Sequence, residues 1–250
     1  MPESKSQSLR YLAKLRSRVP LSPAAESAFL DLDCRIEQFA PRRDIVRQGE
    51  QVNRCHLIAT GIVSQYKIFS SGERQILSFH MPNEIIGLQS CLMGVTEYGL
   101  RAQSQTQTIS FVSADILRVT SQFPALGTAF WYETLAEAAI SREWIASVGR
   151  RSTRSRVIHL LLGFAYRLEA VGLSNAFQFT LPVTQVDMAD ALGVSPVHVN
   201  RTLQALRSEH LIRSHGRTIF IEDPVALARE SHFDTAYLHP EGSTANLSLV

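Results

Sequence analysis

Residues 184–213 read TQVDMADALGVSPVHVNRTLQALRSEHLIR, and the reading of this stretch decides the fold. The Thr184 hydroxyl can accept a backbone N–H at a helix start. Asp187, three residues on, is a shorter version of the capping-box acid. Val186, Ala189 and Leu192 fall on one helical face. Gly193 permits a tight turn where a side chain would crowd. Ser195 reads as a second N-cap, and Pro196 as the first residue of the next helix, where no N–H is needed. Val199, Leu203 and Leu206 then repeat at spacings of four and three, one face of that helix. The opposite face carries Val197, Arg201, Gln204 and Ser208, flanked by His198 and Asn200. Short helices joined by a glycine turn, apolar on one side and polar and basic on the other, read as a helix-turn-helix.

The second helix of such a motif lies in the DNA major groove and turns residues near its N-terminus to base edges. Arg201 is the leading candidate, because its planar fork matches O6 and N7 of guanine. The alternative is an ordinary helical hairpin with a solvated outer face. The residues after Ser208 favour a DNA reader. Leu211–Ile212 is a short apolar run, Ser214–Arg217 a turn, and Thr218–Ile221 a β-rich run, which together predict a wing. The candidate DNA contacts are Thr184, Gln185, Ser195, Val197, His198, Asn200, Arg201, Gln204 and Arg217.

The motif TQVDMADALGVSPVHVNRTLQALR resembles the DNA-binding motif of the Crp/Fnr family of bacterial transcription regulators. The resemblance extends over about residues 20–240. It implies a homodimer that binds palindromic promoter sites on double-stranded DNA and works with RNA polymerase. The best-known members carry a Glu in the reader helix where this chain has Val197, while Arg201 matches the family's retained Arg. A guanine in each half-site is therefore implied, and Val197 suits a thymine methyl.

Composition agrees. Of 250 residues 45% are hydrophobic, enough for one large domain or two modest ones. No apolar run approaches the ~20 residues of a membrane helix. The opening MPESKSQSLRYLAKLRSR lacks an apolar signal core, so a cytoplasmic protein is expected. Cys34, Cys55 and Cys91 are widely spaced, as in a reducing cytosol rather than a disulfide framework. The formal net charge is only +2, but Arg150 to Phe220 holds nine Arg and no Lys against four acids. That local surplus is the footprint expected of a phosphate-binding surface.

Residues 1–20 form a basic lead with little pattern beyond Leu9, Leu12 and Leu15. Ser22-Pro23 starts a short helix with Ala25, Phe29 and Leu32 on its apolar side. From Ile36 to Leu117 the β-rich runs HLIATGIVSQYKIF, ERQILSFH, TISFV and DILRV are punctuated by Gly49, Gly61, Gly72 and Gly87. Ser71-Gly72 reads as a hairpin turn. These runs imply an antiparallel jelly roll, and the order RQGEQVNRCHLIATGIVSQYKIFSSGERQILSFHMPNEIIGLQS resembles the family's cyclic-nucleotide-binding β-roll. A cupin-like roll without sensory role is the alternative.

Phe123–Arg150 is rich in helix formers. It offers competing seams, Trp131-Leu135-Ala138-Arg142-Ile145 and Phe130-Thr134-Glu137-Ser141-Trp144-Val148. One can cover the roll while the other meets a partner helix; the alternative is a helix that only covers the roll. The resemblance makes this helix the dimer interface, with Phe130, Trp131, Leu135, Ala138, Ile145 and Val148 as candidates. Arg150–Ser155 reads as a hinge, Arg156–Ala170 as a helix, Phe177–Leu181 as a strand and Val225–Glu230 as a last helix. The tail from Phe233 loses periodicity, and its end is expected to be mobile. The expected class is α+β, with a jelly-roll domain over 1–122, a long dimerisation helix over 123–150, a winged helix-turn-helix over 151–232 and a tail over 233–250.

Sensors of the resembled family hold a nucleotide phosphate with an Arg-Ser pair after a Gly-Glu-Leu motif. Here the stretch reads Gly87-Leu88-Gln89-Ser90, then Thr96-Glu97-Tyr98-Gly99-Leu100, with no such pair. Glu97 is an acid near the expected phosphate, and Arg101 belongs to the next strand pattern. No cofactor is expected. An iron–sulfur centre needs four grouped thiolates. Cys55 and His56 are consecutive on a strand and so face opposite ways. No hydrolase, zinc-protease or phosphate-loop motif occurs, and no enzyme activity is expected. The rival reading is a haem, redox or other small-molecule sensor module in which the helix-turn-helix is not the main site.

Overall fold

The structure is a computed structural model that describes residues 2–238 except Ala176. The expected mobile end of the tail lies outside the described residues. In chain order the elements begin α1 (Pro2–Arg16), α2 (Pro23–Leu30), β1 (Cys34–Phe39), β2 (Asp44–Val46), β3 (Arg54–Thr60), β4 (Val63–Ile68) and β5 (Arg74–His80). Next come β6 (Ile85–Ile86), α3 (Ser90–Met93), β7 (Gly99–Ala102), β8 (Thr106–Val112), α4 (Ser113–Gln122) and α5 (Pro124–Arg150). The remainder is α6 (Thr153–Ala170), β9 (Ser174–Asn175), β10 (Gln178–Thr180), α7 (Gln185–Leu192), α8 (Pro196–Ser208), β11 (Ile212–His215), β12 (Thr218–Ile221) and α9 (Pro224–Ser231). The chain divides into two compact units, residues 2–68 with 79–138, and residues 69–78 with 139–238.

The first unit is the β-roll. Its sheets run β1-β8-β3-β6 and β2-β7-β4-β5, antiparallel throughout the pairs described, with residues 74–78 of β5 counted in the second unit. Residues facing the helices from the first sheet, Cys55, Leu57, Ile109 and Phe111, meet Tyr11, Leu12, Leu15, Phe29, Ile116, Val119, Leu126 and Phe130 in one core. Phe29 sits at its centre, 5.3 Å from the Phe111 ring centroid and 6.0 Å from that of Phe130. Aromatic rings at such separations add to their area burial.

This core accounts for two departures from expectation. The N-terminal lead is a helix, α1, that buries Tyr11, Leu12 and Leu15 and half-exposes Leu9. The Leu9-Leu12-Leu15 spacing of three drifts around a helix, so the buried face is centred one residue away, with Tyr11 stacked at 6.5 Å on Phe130. The run DILRV, expected as a strand, lies in α4. There Ile116 and Val119, three apart, are buried together while Asp115 pairs with Arg118 at 3.0 Å on the exposed side. That is helical spacing, and a strand would have put Ile116 and Val119 on opposite faces.

The second unit is built on α6, which is apolar almost all round and correspondingly buried along Val157, Ile158, Leu160, Leu161, Leu162, Phe164, Ala165 and Leu168. Ser152 caps it, its hydroxyl accepting from Ser155 N at 3.2 Å. The expected hinge is thus short, since α5 runs through Arg150 and α6 begins at Thr153. A sheet of order β11-β12-β10-β9 completes the unit. The first residues of the tail belong to the fold: Phe233 is buried, 4.9 Å from the His159 ring and 5.3 Å from that of Tyr166.

The long helix α5 separates the competing seams. Phe130 is spent on the core of its own roll, while Val148 is partly exposed beside Gly193. Trp131, Leu135 and Ile145 are 67%, 50% and 73% exposed, with Ala138 and Arg142 between them on the same stripe.

Candidate nucleic-acid interface

Helices α7 and α8 form the motif that the local residues specify. The Thr184 hydroxyl accepts from Asp187 N at 3.1 Å, and Asp187 Oδ2 accepts from Thr184 N at 3.0 Å, a complete capping box. Gly193 ends α7 at φ 63° and ψ 40°, a conformation that costs glycine little. Ser195 caps α8 by accepting from His198 N at 3.3 Å, and Pro196 takes the first helical position. Inside, Met188, Ala189, Ala191 and Leu192 of α7 are buried, as are Val199, Leu203 and Leu206 of α8. Burying each large aliphatic side chain stabilises the unit by about 1.5–3 kcal/mol. Val186 departs from the expected inward face: it is 52% exposed, because Met188 and Ala191 rather than Val186 complete the buried stripe.

The outer face of α8 presents Val197, 64% exposed, together with exposed His198, Asn200, Arg201, Gln204 and Ser208. Arg201 makes no ion pair with any described residue. Asn200 donates to Gln185 Oε1 at 3.0 Å, so these expected contacts hold one another at the junction of the helices. The Thr184 hydroxyl donates to Asp187 Oδ2 at 2.6 Å, and Ser195 Oγ is also 3.2 Å from His198 Nδ1; both hydroxyls are engaged in capping. Strands β11 and β12 form the wing, and the exposed Arg217 sits at its turn beside Gly216.

The arginine surplus is used differently from a uniform phosphate footprint. Arg154 is clamped by Glu209 at 2.6 Å and by Glu230. Arg151 pairs with Glu143 at 2.7 Å, and Arg156 donates to the Leu192 carbonyl at 2.9 Å. Arg207 donates to Ser214 Oγ at 2.8 Å, tying α8 to the wing, and Arg213 pairs with Glu222 while lying 4.8 Å over the Phe220 ring. These side chains stabilise the unit internally. Of the other four, Arg150, Arg167, Arg201 and Arg217, the last two belong to the reader helix and the wing.

One residue had no local sequence signal. Arg74 donates to Asp187 Oδ1 at 2.6 Å and to Asp190 Oδ2 at 2.8 Å, adding an ion pair to the capping box that starts α7. Burial pushes the Asp187 carboxyl up. The Thr184 hydroxyl and N–H and the Arg74 guanidinium outweigh it and hold the carboxyl below its ordinary value. Since the folded-state pKa is the lower one, this stabilisation is present above the unfolded value and is lost as pH falls through the folded one. Asp187→Asn should therefore lower unfolding stability by about 1–2 kcal/mol at neutral pH. The gap from wild type should close as pH drops below about 4. Urea titrations across that range check this, and equal stability at pH 7 would remove Arg74 from the account.

In the roll, Arg101 is already engaged. Its Nε is 2.7 Å from Asp44 Oδ1, its Nη2 3.3 Å from Asp44 Oδ2, and its guanidinium lies 4.8 Å over the Tyr66 ring. Tyr66 donates to the same Asp44 at 3.0 Å. A Cβ on Gly99 would come within 2.3 Å of the Tyr66 ring, so glycine there is what admits this arrangement. Leu88 is buried in the core and Glu97 is exposed. His56 turns to Thr108 Oγ1 at 3.3 Å and Glu37 at 3.6 Å, while Cys55 points into the apolar core. Burial lowers the His56 pKa to about 4, so the ring is neutral.

A double-sheeted roll, a long helix and a winged helix-turn-helix define a type of DNA-binding regulator. Residues 36–123 match the cyclic nucleotide-binding domain, and residues 155–230 match the Crp-like helix-turn-helix domain. The nitrogen fixation regulation protein FixK of Rhizobium meliloti is 27% identical over 195 residues, 77% of this chain and 85% of that one. The transcriptional activator protein Anr of Pseudomonas protegens is 26% identical over 187 residues, 73% of this chain and 75% of that one. The solved structure of FixK2 from Bradyrhizobium japonicum superposes with a TM-score of 0.73 at 24% identity, over 79% of this chain and 97% of that one. The chain belongs to the Crp/Fnr family and is a DNA-binding transcription regulator. None of the described helices is long and apolar enough to cross a membrane.

Proposed function

We propose that this regulator binds palindromic promoter sites as a homodimer, reads a guanine in each half-site through Arg201, and does so without a cyclic nucleotide. The observation that carries the reading is the outer face of α8, where Arg201 is exposed and makes no ion pair with any described residue. In a major groove its fork can donate to O6 and N7 of guanine. Val197 reaches a thymine methyl from the same face. Asn200, Gln185, His198 and Gln204 flank it, and Arg217 on the wing is placed for phosphate. Thr184 and Ser195 act through helix capping, and their backbone N–H neighbours at the helix starts are the groups suited to phosphate. The protein acts in the cytoplasm alongside RNA polymerase and catalyses no reaction.

Independence from cyclic nucleotides rests on Arg101. A buried phosphodiester needs a cationic partner, and Arg101 is committed to Asp44 and Tyr66. Glu97 lies on the surface, where solvent screens its charge, and contributes little. A nucleotide that does not discriminate between two states cannot shift them. Titrating the protein into family-type palindromic duplexes at several salt concentrations tests the reading. Affinity should fall steeply with salt and stay the same when cyclic AMP or cyclic GMP is added. Micromolar calorimetric binding of either nucleotide would overturn the second part, and salt-insensitive or sequence-indifferent binding the first.

A further inference from the structure

The sequence spaces the cysteines far apart, but the roll brings two of them together. Strand β6 pairs with β3 in the register His56↔Ile86 and Leu57↔Ile85. The next residue, Gly87, therefore lies against Cys55, and a Cβ on it would sit 3.8 Å from the Cys55 Cα. Gly87 has φ +79°, which turns the chain into α3. The first turn of α3 returns Cys91 over Gly87, its Sγ 4.0 Å from the Gly87 carbonyl oxygen. Cys55 and Cys91 are thus both brought against the same glycine, Cys55 across the strand pair and Cys91 from the helix turn. Ser113, at the start of α4, is the third member. Its buried hydroxyl has no hydrogen-bond partner among the described residues.

The two thiols differ. Cys55 is fully buried in the apolar core, while Cys91 is partly exposed on a helix of only four residues whose Leu92 is 81% exposed. The Cys55 thiol beside it draws the Cys91 pKa down to about 7 against the effect of burial. The same proximity, with burial, pushes Cys55 well up. Near neutral pH the accessible position is thus partly thiolate, with a thiol behind it.

We propose that Cys91 and Cys55 form a hydroperoxide-reactive pair that closes to an intrachain disulfide, with Cys91 attacking and Cys55 resolving. In the first step the Cys91 thiolate attacks one peroxide oxygen. An S–O bond forms, the O–O bond breaks, and the released hydroxide (or alkoxide) takes up a proton. The sulfur is oxidised by two electrons to a sulfenic acid and the peroxide is reduced. In the second step Cys55 attacks the Cys91 sulfur. The S–S bond forms, the S–O bond breaks, and hydroxide leaves with the Cys55 proton as water. A dithiol reductant reverses the reaction by exchange. Closing the sulfurs to about 2.05 Å asks α3 to move, and α3 is a single turn ended by Gly94 in the left-handed region. Cys34 cannot substitute. It and Cys55 both pair with Phe111, from opposite sides of β8, which puts them roughly 10 Å apart. That is beyond disulfide reach.

The reading does not depend on DNA binding, and its test reads only the thiols of the full chain. The reduced protein is exposed to micromolar hydrogen peroxide, alkylated, digested without reductant and analysed by mass spectrometry. A linked Cys55–Cys91 peptide pair is expected, absent after dithiothreitol and retained in Cys34→Ser. Cys91→Ser should lose the crosslink. Cys55→Ser should stop at a Cys91 sulfenic acid that dimedone traps, and this second variant still reports on Cys91 if the first is poorly folded. No crosslink in the folded wild type, a dominant Cys34 linkage, or no dimedone adduct on Cys91 in Cys55→Ser would each overturn the proposal.

Discussion

Arg201→Ala is expected to abolish sequence-specific binding while leaving the fold intact. The side chain is exposed and pairs with no described acid, so its removal leaves no buried charge behind and opens no cavity. Its neighbours on α8, Val199, Leu203 and Leu206, keep the helix packed from the other side. A bidentate contact to guanine gives about 1–3 kcal/mol of discrimination. A dimer makes that contact twice, so roughly 2–6 kcal/mol is at stake, a loss of about thirtyfold to ten-thousandfold. The residual affinity should be that of non-specific DNA, with nearly the same salt slope, since Arg217 and the backbone contacts remain. Competition between a palindrome and its guanine-substituted version measures this. A mutant that still prefers guanine would move the reading to another residue, with Gln204, one helical turn on, the first to examine.

The helix-turn-helix was legible because its determinants are local. Thr184, Asp187, Gly193, Ser195 and Pro196 act on groups within four residues of themselves, and the structure uses each as its chemistry dictates. Val186 shows where that stops: helical spacing admits a broad stripe, and only packing selects Met188 and Ala191 to fill it. The run DILRV was ambiguous for a similar reason. Short apolar runs suit a strand or a buried helix, and the decision came from Phe29 and the core that Ile116 and Val119 complete. Long-range partners left no trace at all. Arg74 and Asp187 are 113 positions apart, and the sequence shows two charges without showing that they meet. The arginine count misled in a related way. Glu222 and Glu230 fall just past the counted segment, yet they neutralise Arg213 and Arg154. Phe130 was placed at a dimer seam because periodicity alone does not say which face of α5 the protein's own roll takes.

Replacing Trp131 and Ile145 together by Glu should convert the protein to a monomer and cost most of its affinity for palindromes. At 100° per residue, Trp131, Leu135, Ala138, Arg142 and Ile145 fall within about 80° of arc on α5. Three large apolar side chains of that stripe are at least half exposed, an unusual outlay of apolar surface on a long helix. Fully burying each against a second copy contributes about 1.5–3 kcal/mol. Six such side chains in a symmetric pair contribute roughly 9–18 kcal/mol. The cost of association is about 4–15 kcal/mol, which the stripe offsets in large part; a micromolar dimer needs about 8 kcal/mol beyond that cost, reached toward the upper end of the burial range. Both positions are exposed, so the glutamates should leave the roll core around Phe130 undisturbed and place like charges across a closed seam instead. Two reader helices must sit about 34 Å apart to engage both half-sites. A monomer loses that avidity, worth roughly 10²–10⁴ in affinity, and should bind palindrome and single half-site alike. Sedimentation at micromolar concentration, paired with binding to both duplexes, reads the two effects separately. A double variant that stayed dimeric would move the interface off this stripe of α5. A wild-type monomer that bound palindromes tightly would remove the dimer from the reading altogether.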